Sequence, residues 1–278
     1  MCIVAVVAGC QGQVASTPAP TPPTVPPSAV PAPTADVTMI AQPAVNATVH
    51  VICKRIDSAG SGFVHVSGVV VTAAHVIRGC GPADIEVQTS DGRTIVATQA
   101  YVDEALDIAL VVTPEKLDHG LRLYVGNYSV GDFVTIWGFP GGYTAHRALL
   151  TTGYVGAIPE ADATGKSPRI WINGAINKGN SGGPVLMPGT GDVLGIVVTK
   201  MAAMPSWIPT ALQAMANQTS GFIYNATLPD GTTKQVTEGQ IVAGVLDYLQ
   251  SQTQLVVGSA VPAGDIASMM KRANIPVL

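Results

Sequence analysis

The segment Ile176–Met187, INKGNSGGPVLM, halts an apolar run to present one hydroxyl, Ser181, among Gly179, Gly182 and Gly183. A turn needs one or two glycines, not three. Residues without side chains clear room for backbone N–H groups to converge on a developing oxyanion. A donor preorganised in this way contributes about 3 kcal/mol to an acyl-transfer transition state. A serine hydroxyl attacks effectively once a histidine takes its proton, and a carboxylate that fixes the imidazole tautomer completes the relay. Two residues stand in contexts that suit those tasks. His75 closes the apolar stretch GVVVTAAH, where two alanines leave space around the ring. Asp107 opens DIALV, a carboxylate at the head of an apolar strand with little else to pair with. Together the three side chains point to acyl transfer at a carbonyl.

Chain order arbitrates between scaffolds. Gly179–Gly183 satisfies G-x-S-x-G, the nucleophile elbow of α/β-hydrolases, but that fold places its histidine after the serine. All five histidines here (50, 65, 75, 119 and 146) precede Ser181. The subtilisin order needs an aspartate ahead of the histidine, and only Asp36, in a proline-rich spacer, and Asp57, in a turn, qualify. His75, Asp107, Ser181 is the order that remains. Each has a plainer reading taken singly: a serine in a glycine turn, a core histidine, an aspartate capping a strand. Their joint order and setting favour chemistry. The other histidines lack such a setting, and Asp103 and Asp118 lack the IAL strand that follows Asp107.

The elements that must hold these residues read as short strands. From Ala44 onward ATVHVICKRI, SGFVHVSGVVVTAAHV, DIALVVT, DFVTIWGFP, RIWINGAI and DVLGIVVTK are β-branched and separated by turn residues, and a hairpin turns at Asp91-Gly92. Helical spacing appears late, in PSWIPTALQAMANQ, EGQIVAGVLDYLQ and AGDIASMMKRAN. The pattern predicts an all-β protein of barrels or a sandwich. With 278 residues, 30 of them glycine and 21 proline, the chain has the length for a sizeable core. Charged residues are 12% and the net charge is -4, which gives no sign of a nucleic-acid partner. No cysteine-histidine cluster has metal-ligand spacing and no cofactor motif is present, so neither a metal nor a cofactor is expected.

The first 47 residues read differently. Val7–Cys10, VAGC, resembles a bacterial lipobox, in which Cys10 would be lipidated and tether the chain to a membrane; a chance apolar start is the alternative. Residues 17–34 hold eight prolines and no charge, a polyproline-type spacer with a reach of roughly 50 Å. If Cys2 and Cys10 belong to an export signal, Cys53 and Cys80 remain in the folded part. They suit either a disulfide in an oxidising compartment or two buried thiols. Both readings stay open.

AGSGFVHVSGVVVTAAHVI, DEALDIALVV, IWGFPGGYTAHRALLTTGYVGA and INGAINKGNSGGPVL resemble, in order, successive blocks of the trypsin-like serine proteases, and most of all their bacterial HtrA/Deg branch. The resemblance covers about residues 48–200, with an echo at LVVGSAVPAGDIASMM. It implies two six-stranded antiparallel β-barrels, 48–125 and 126–278, with a C-terminal helix and a partly helical insertion at about 201–254. It implies an extracytoplasmic endopeptidase of polypeptide substrates, with His75 as base, Asp107 as its orienting partner and Ser181 as nucleophile. The Gly179 and Ser181 N–H groups would form the oxyanion hole. The residue six before the serine, at the base of the S1 pocket, is Ala175, which implies a small or medium apolar P1 residue. Val198, Thr199 and Lys200 would form the substrate rail, with Gly258 opposite. Three departures stand out: Lys178 where a proline is common, no PDZ-like region after the barrels, and the insertion itself. The insertion would leave and rejoin beside S1, where it could act as a lid or leave a silent binding module with its cleft covered.

Overall fold

The computed structural model describes residues 37–159, 168–200, 207–219, 221–227, 232–252 and 257–277. Helix α1 (Thr38–Ala47) leads into β1 (Thr48–Cys53), β2 (Ser58–Val64) and β3 (Val70–Thr72), then the one-turn α2 (Ala74–Ile77). Strands β4 (Ile85–Gln88), β5 (Thr94–Val96), β6 (Gln99–Asp103) and β7 (Ile108–Val112) complete the first half. β7 reads IALVV because both its faces are covered: Ile108 to Val111 have no exposed surface. The seven strands form one antiparallel sheet in the order β5-β4-β1-β2-β3-β7-β6. Its two end strands are one bent segment. At the corner, the Ala97 N–H donates to Ile85 and the Thr98 N–H to Val112, at opposite ends of the sheet. The sheet therefore curls until the chain itself joins its edges, and the seventh strand is the expected sixth, bent in two. The Asp91-Gly92 hairpin is present, with Gly92 at φ 87°.

The second half is a closed six-stranded barrel. It contains β8 (Phe133–Gly138), β9 (Leu149–Ala157), β10 (Ile170–Gly174), β11 (Pro184–Leu186) and β12 (Val193–Lys200). Between β12 and the last barrel strand come α3 (Trp207–Ala216), β13 (Ile223–Thr227), β14 (Thr233–Thr237) and α4 (Glu238–Gln252); then β15 (Val257–Pro262) closes the barrel and α5 (Ala263–Arg272) follows. Val134, Ile136, Ile172, Leu194 and Val197 fill its interior. α5 buries Ile266, Met269 and Met270 in a core shared by both halves, which includes Phe63 and Leu110 of the first and Val193 and Ile196 of the second. Its Arg272 pairs with Asp103 at 2.6 Å. The C-terminal helix thus locks one half to the other.

Two elements were hidden in the sequence. Residues 38–47, read as the end of the linker, form α1, whose Ile40, Ala44 and Ala47 are buried at helical spacing despite Pro43. The β13–β14 hairpin lies inside the insertion. Cys10 and the proline-rich spacer lie outside the described residues. Among the described residues no helix is long and apolar enough to cross a membrane.

Candidate active site

His75 sits where the buried strand β3 gives way to α2, with Ala73 and Ala74 fully buried behind it. The carboxylate of Asp107 faces it twice. Oδ1 accepts the His75 backbone N–H at 2.9 Å, and Oδ2 accepts from ring Nδ1 at 2.8 Å. A proton on Nδ1 leaves the lone pair on Nε2, the form a general base needs. Asp107 holds φ 59°, a left-handed conformation that aspartate tolerates better than most residues. Burial pushes the pKa of its carboxyl up. The ring and backbone hydrogen bonds from His75, and the charges of His75 and Arg169, outweigh burial and hold it below the ordinary carboxylate value.

The glycines beside Ser181 set its loop against the segment that leads to His75. Gly182, at φ 83°, is wedged against the Ser61 carbonyl, the Thr72 hydroxyl and the Ala73 N–H, where a Cβ would collide. The serine loop therefore packs directly on the segment that leads to His75. Gly179, at φ 97°, lies in the same way against the Phe139 carbonyl. Three backbone donors around Ser181 are bonded. Asn180 donates to Asn177 at 3.1 Å, Gly182 to Val197 at 2.6 Å and Gly183 to Asn180 at 2.9 Å. The N–H groups of Gly179 and Ser181 donate to nothing among the described residues. The Lys178 carbonyl is turned away to accept from Gly141 at 2.7 Å. Ser181 Oγ and His75 Nε2 are not hydrogen-bonded to each other, a contact that catalytic pairs often tighten only around substrate.

Ser61 is a residue the sequence did not single out. Fully buried on β2, it donates its N–H to Ser181 O at 2.7 Å and its hydroxyl to Gly179 O at 2.6 Å, and it accepts from the Phe139 N–H at 2.9 Å. Its carbonyl accepts from the Thr72 hydroxyl at 2.7 Å. One small side chain thus ties the serine loop to the strand before His75. Its only sequence signal is the small-residue run SAGSG.

Of the remaining expected residues, Ala175 follows β10 and is half-buried, and Val198 is buried on β12. Thr199 and Lys200 pair through their backbones with Ser259 and Gly258 of β15; their side chains lie outside the described residues. Cys53 and Cys80 are joined as a disulfide with Cα atoms 6.0 Å apart, which decides between the two readings of that pair. The bond anchors the chain just after α2 to the end of β1. His50 stacks on Phe139 at 5.0 Å, and His65 is buried with Nδ1 2.9 Å from the Ser67 hydroxyl; neither reaches the site.

The family model of the trypsin-like peptidase domain matches residues 60–196. Serine protease HTRA3 of Mus musculus is 34% identical over 161 residues, covering 52% of this chain and 34% of that protein. Mitochondrial serine protease HTRA2 of Drosophila virilis is 30% identical over 221 residues, covering 71% of this chain and 49% of that one. The chain thus spans a third to a half of the length of these curated relatives. Among solved structures, the active form of the Rv3671c protease of M. tuberculosis aligns with a TM-score of 0.54 and 19% identity, covering 86% of this chain and 85% of that one. The inactive form aligns with the same TM-score, so the likeness speaks to fold alone.

Proposed function

This chain belongs to the trypsin-like peptidases through residues 60–196, and we propose that it is a serine endopeptidase that cleaves polypeptides through an acyl-enzyme. His75 Nε2 takes the proton of Ser181 Oγ as the oxygen attacks the scissile carbonyl. Asp107 holds the ring tautomer and stabilises the imidazolium. The oxyanion settles on the Gly179 and Ser181 N–H groups. His75 then protonates the leaving amine, and water, activated by the same ring, releases the acyl group. The observation that carries this reading is the pair of N–H groups at Gly179 and Ser181 without partners among the described residues, between and beside the bonded N–H groups of Asn180, Gly182 and Gly183.

Ala175 at the base of the pocket supports a small or medium apolar P1 residue, because a buried cation there would meet no carboxylate. Hydrolysis of peptides that differ only at P1 tests both statements. Turnover should favour Ala, Val or Leu and vanish in Ser181→Ala; preference for Arg overturns the pocket, and no turnover of any member overturns the enzyme. The unmade Ser181–His75 bond favours one other reading, a silent binding module with its cleft covered by the 201–254 insertion, which predicts no turnover. The disulfide supports an extracytoplasmic location, with Cys10 as lipid anchor and residues 17–34 as tether. The mass of the mature N-terminus tests that placement.

A further inference from the structure

A cavity of about 460 Å³ lies between the β4–β5 turn (Ser90, Asp91, Gly92) and the loop from β8 to β9 (Tyr143, Ala145, His146, Arg147). That volume is typical of ligand sites. The same loop reaches the proposed oxyanion hole: Phe139 packs on Gly179, and Gly141 donates to the Lys178 carbonyl. The proposed acyl-side rail flanks Ser181 on its other side, where Gly182 is bonded to Val197 of β12. A substrate laid along β12 and past Ser181 therefore runs toward the cavity with its leaving-group half. The charges in the cavity are uneven. Asp91 is answered by Arg93 Nε at 2.8 Å and by the Thr89 hydroxyl. Arg147 and His146 are exposed and bonded to no acid among the described residues. A guanidinium offers a planar fork that suits a carboxylate, and the Tyr143 ring supplies an apolar wall beside it.

We propose that this cavity is a leaving-group-side subsite for a carboxylate-bearing stretch of peptide, held by Arg147 and His146 against Tyr143. The inference rests on the peptidase reading for its direction, though not for its chemistry, and two measurements separate them. In the first, full-length Ser181→Ala protein is titrated with fluorescent decapeptides that differ only in Asp against Asn at alternate positions. The Asp peptide should bind about three- to fivefold more tightly at low salt, as exposed charge pairs allow. The preference should fade as NaCl rises, disappear in the Arg147→Ala form and reverse in the Arg147→Glu form. Equal binding of the two peptides, or a preference that survives Arg147→Ala, overturns the proposal whether or not the protein cleaves anything. The second measurement uses wild-type protein and cleavable peptides with Asp or Asn two to four residues beyond the scissile bond. A higher kcat/KM for the Asp substrates, lost with Arg147→Ala, supports the subsite. A gain produced only by a separate acidic peptide added in trans assigns the carboxylate to another molecule and overturns the leaving-group placement.

Discussion

The loop around Ser181 and the segment between β12 and β15 are built in opposite ways. In the serine loop the glycines bring backbone against backbone, and a buried hydroxyl from β2 secures what is left. Between β12 and β15 the described residues hold mainly to one another. The Thr237 hydroxyl donates to Gln218 O at 3.0 Å and Gln240 Nε2 to Ala216 O at 3.1 Å, yet Phe222 and Ile223 are 76% and 60% exposed. A loop in which every contact is fixed by position fails when one atom is added or removed. A self-contained appendage with apolar residues in water loses little from a change at its surface.

The sharpest test of that contrast is Asp107→Asn, which keeps the shape of the side chain but no longer enforces the tautomer of His75. It should lower kcat by about 10⁴-fold in protein that still folds; a loss under tenfold would show that the pair does not govern the site. The rest of the buried framework is tested by pH. Burial drives His65 down to about 4 from 6.5, and the ring is fully buried with Nε2 lacking a partner. Between those values the unfolded chain takes up a proton that the folded form refuses. Stability should therefore hold above pH 6.5 and fall by roughly 3 kcal/mol toward pH 4. Urea melts across that window read the slope, and His65→Leu, if it folds, should flatten it. Ser61→Ala comes next: the Gly179 carbonyl and the Phe139 N–H lose their partner in the interior, at a cost of about 1–3 kcal/mol, with kcat falling more than KM rises. The smallest effect is expected in the insertion, where Phe222→Ser should shift stability by under about 0.5 kcal/mol. A loss as large as that of Ser61→Ala would erase the contrast.

What could be read from the sequence follows the same division. Ser181, its glycines and the strands leading to His75 and Asp107 were legible because each needs a residue type that little else requires. Ser61 was not, because a small hydroxyl in SAGSG becomes a clamp only when β2 lies beside Gly179, 118 residues later. The bend at Ala97–Thr98 left no trace, since neither residue has a turn preference, and Pro43 masked α1. Cys53 and Cys80 could be paired only once their Cα atoms were seen to be 6.0 Å apart. The three late helices were visible from their spacing, but not that α3 and α4 would pack on each other.

The central claim is that Ser181 is a nucleophile activated by His75 beside two open backbone donors. A fluorophosphonate probe, which reacts with an activated serine and not with an ordinary one, tests this most directly when full-length protein is labelled and the modified peptide is identified by mass. One adduct is expected on Ser181, absent in Ser181→Ala and slowed in Asp107→Asn. Folded protein that stays unlabelled, or a label that persists in Ser181→Ala, would contradict it.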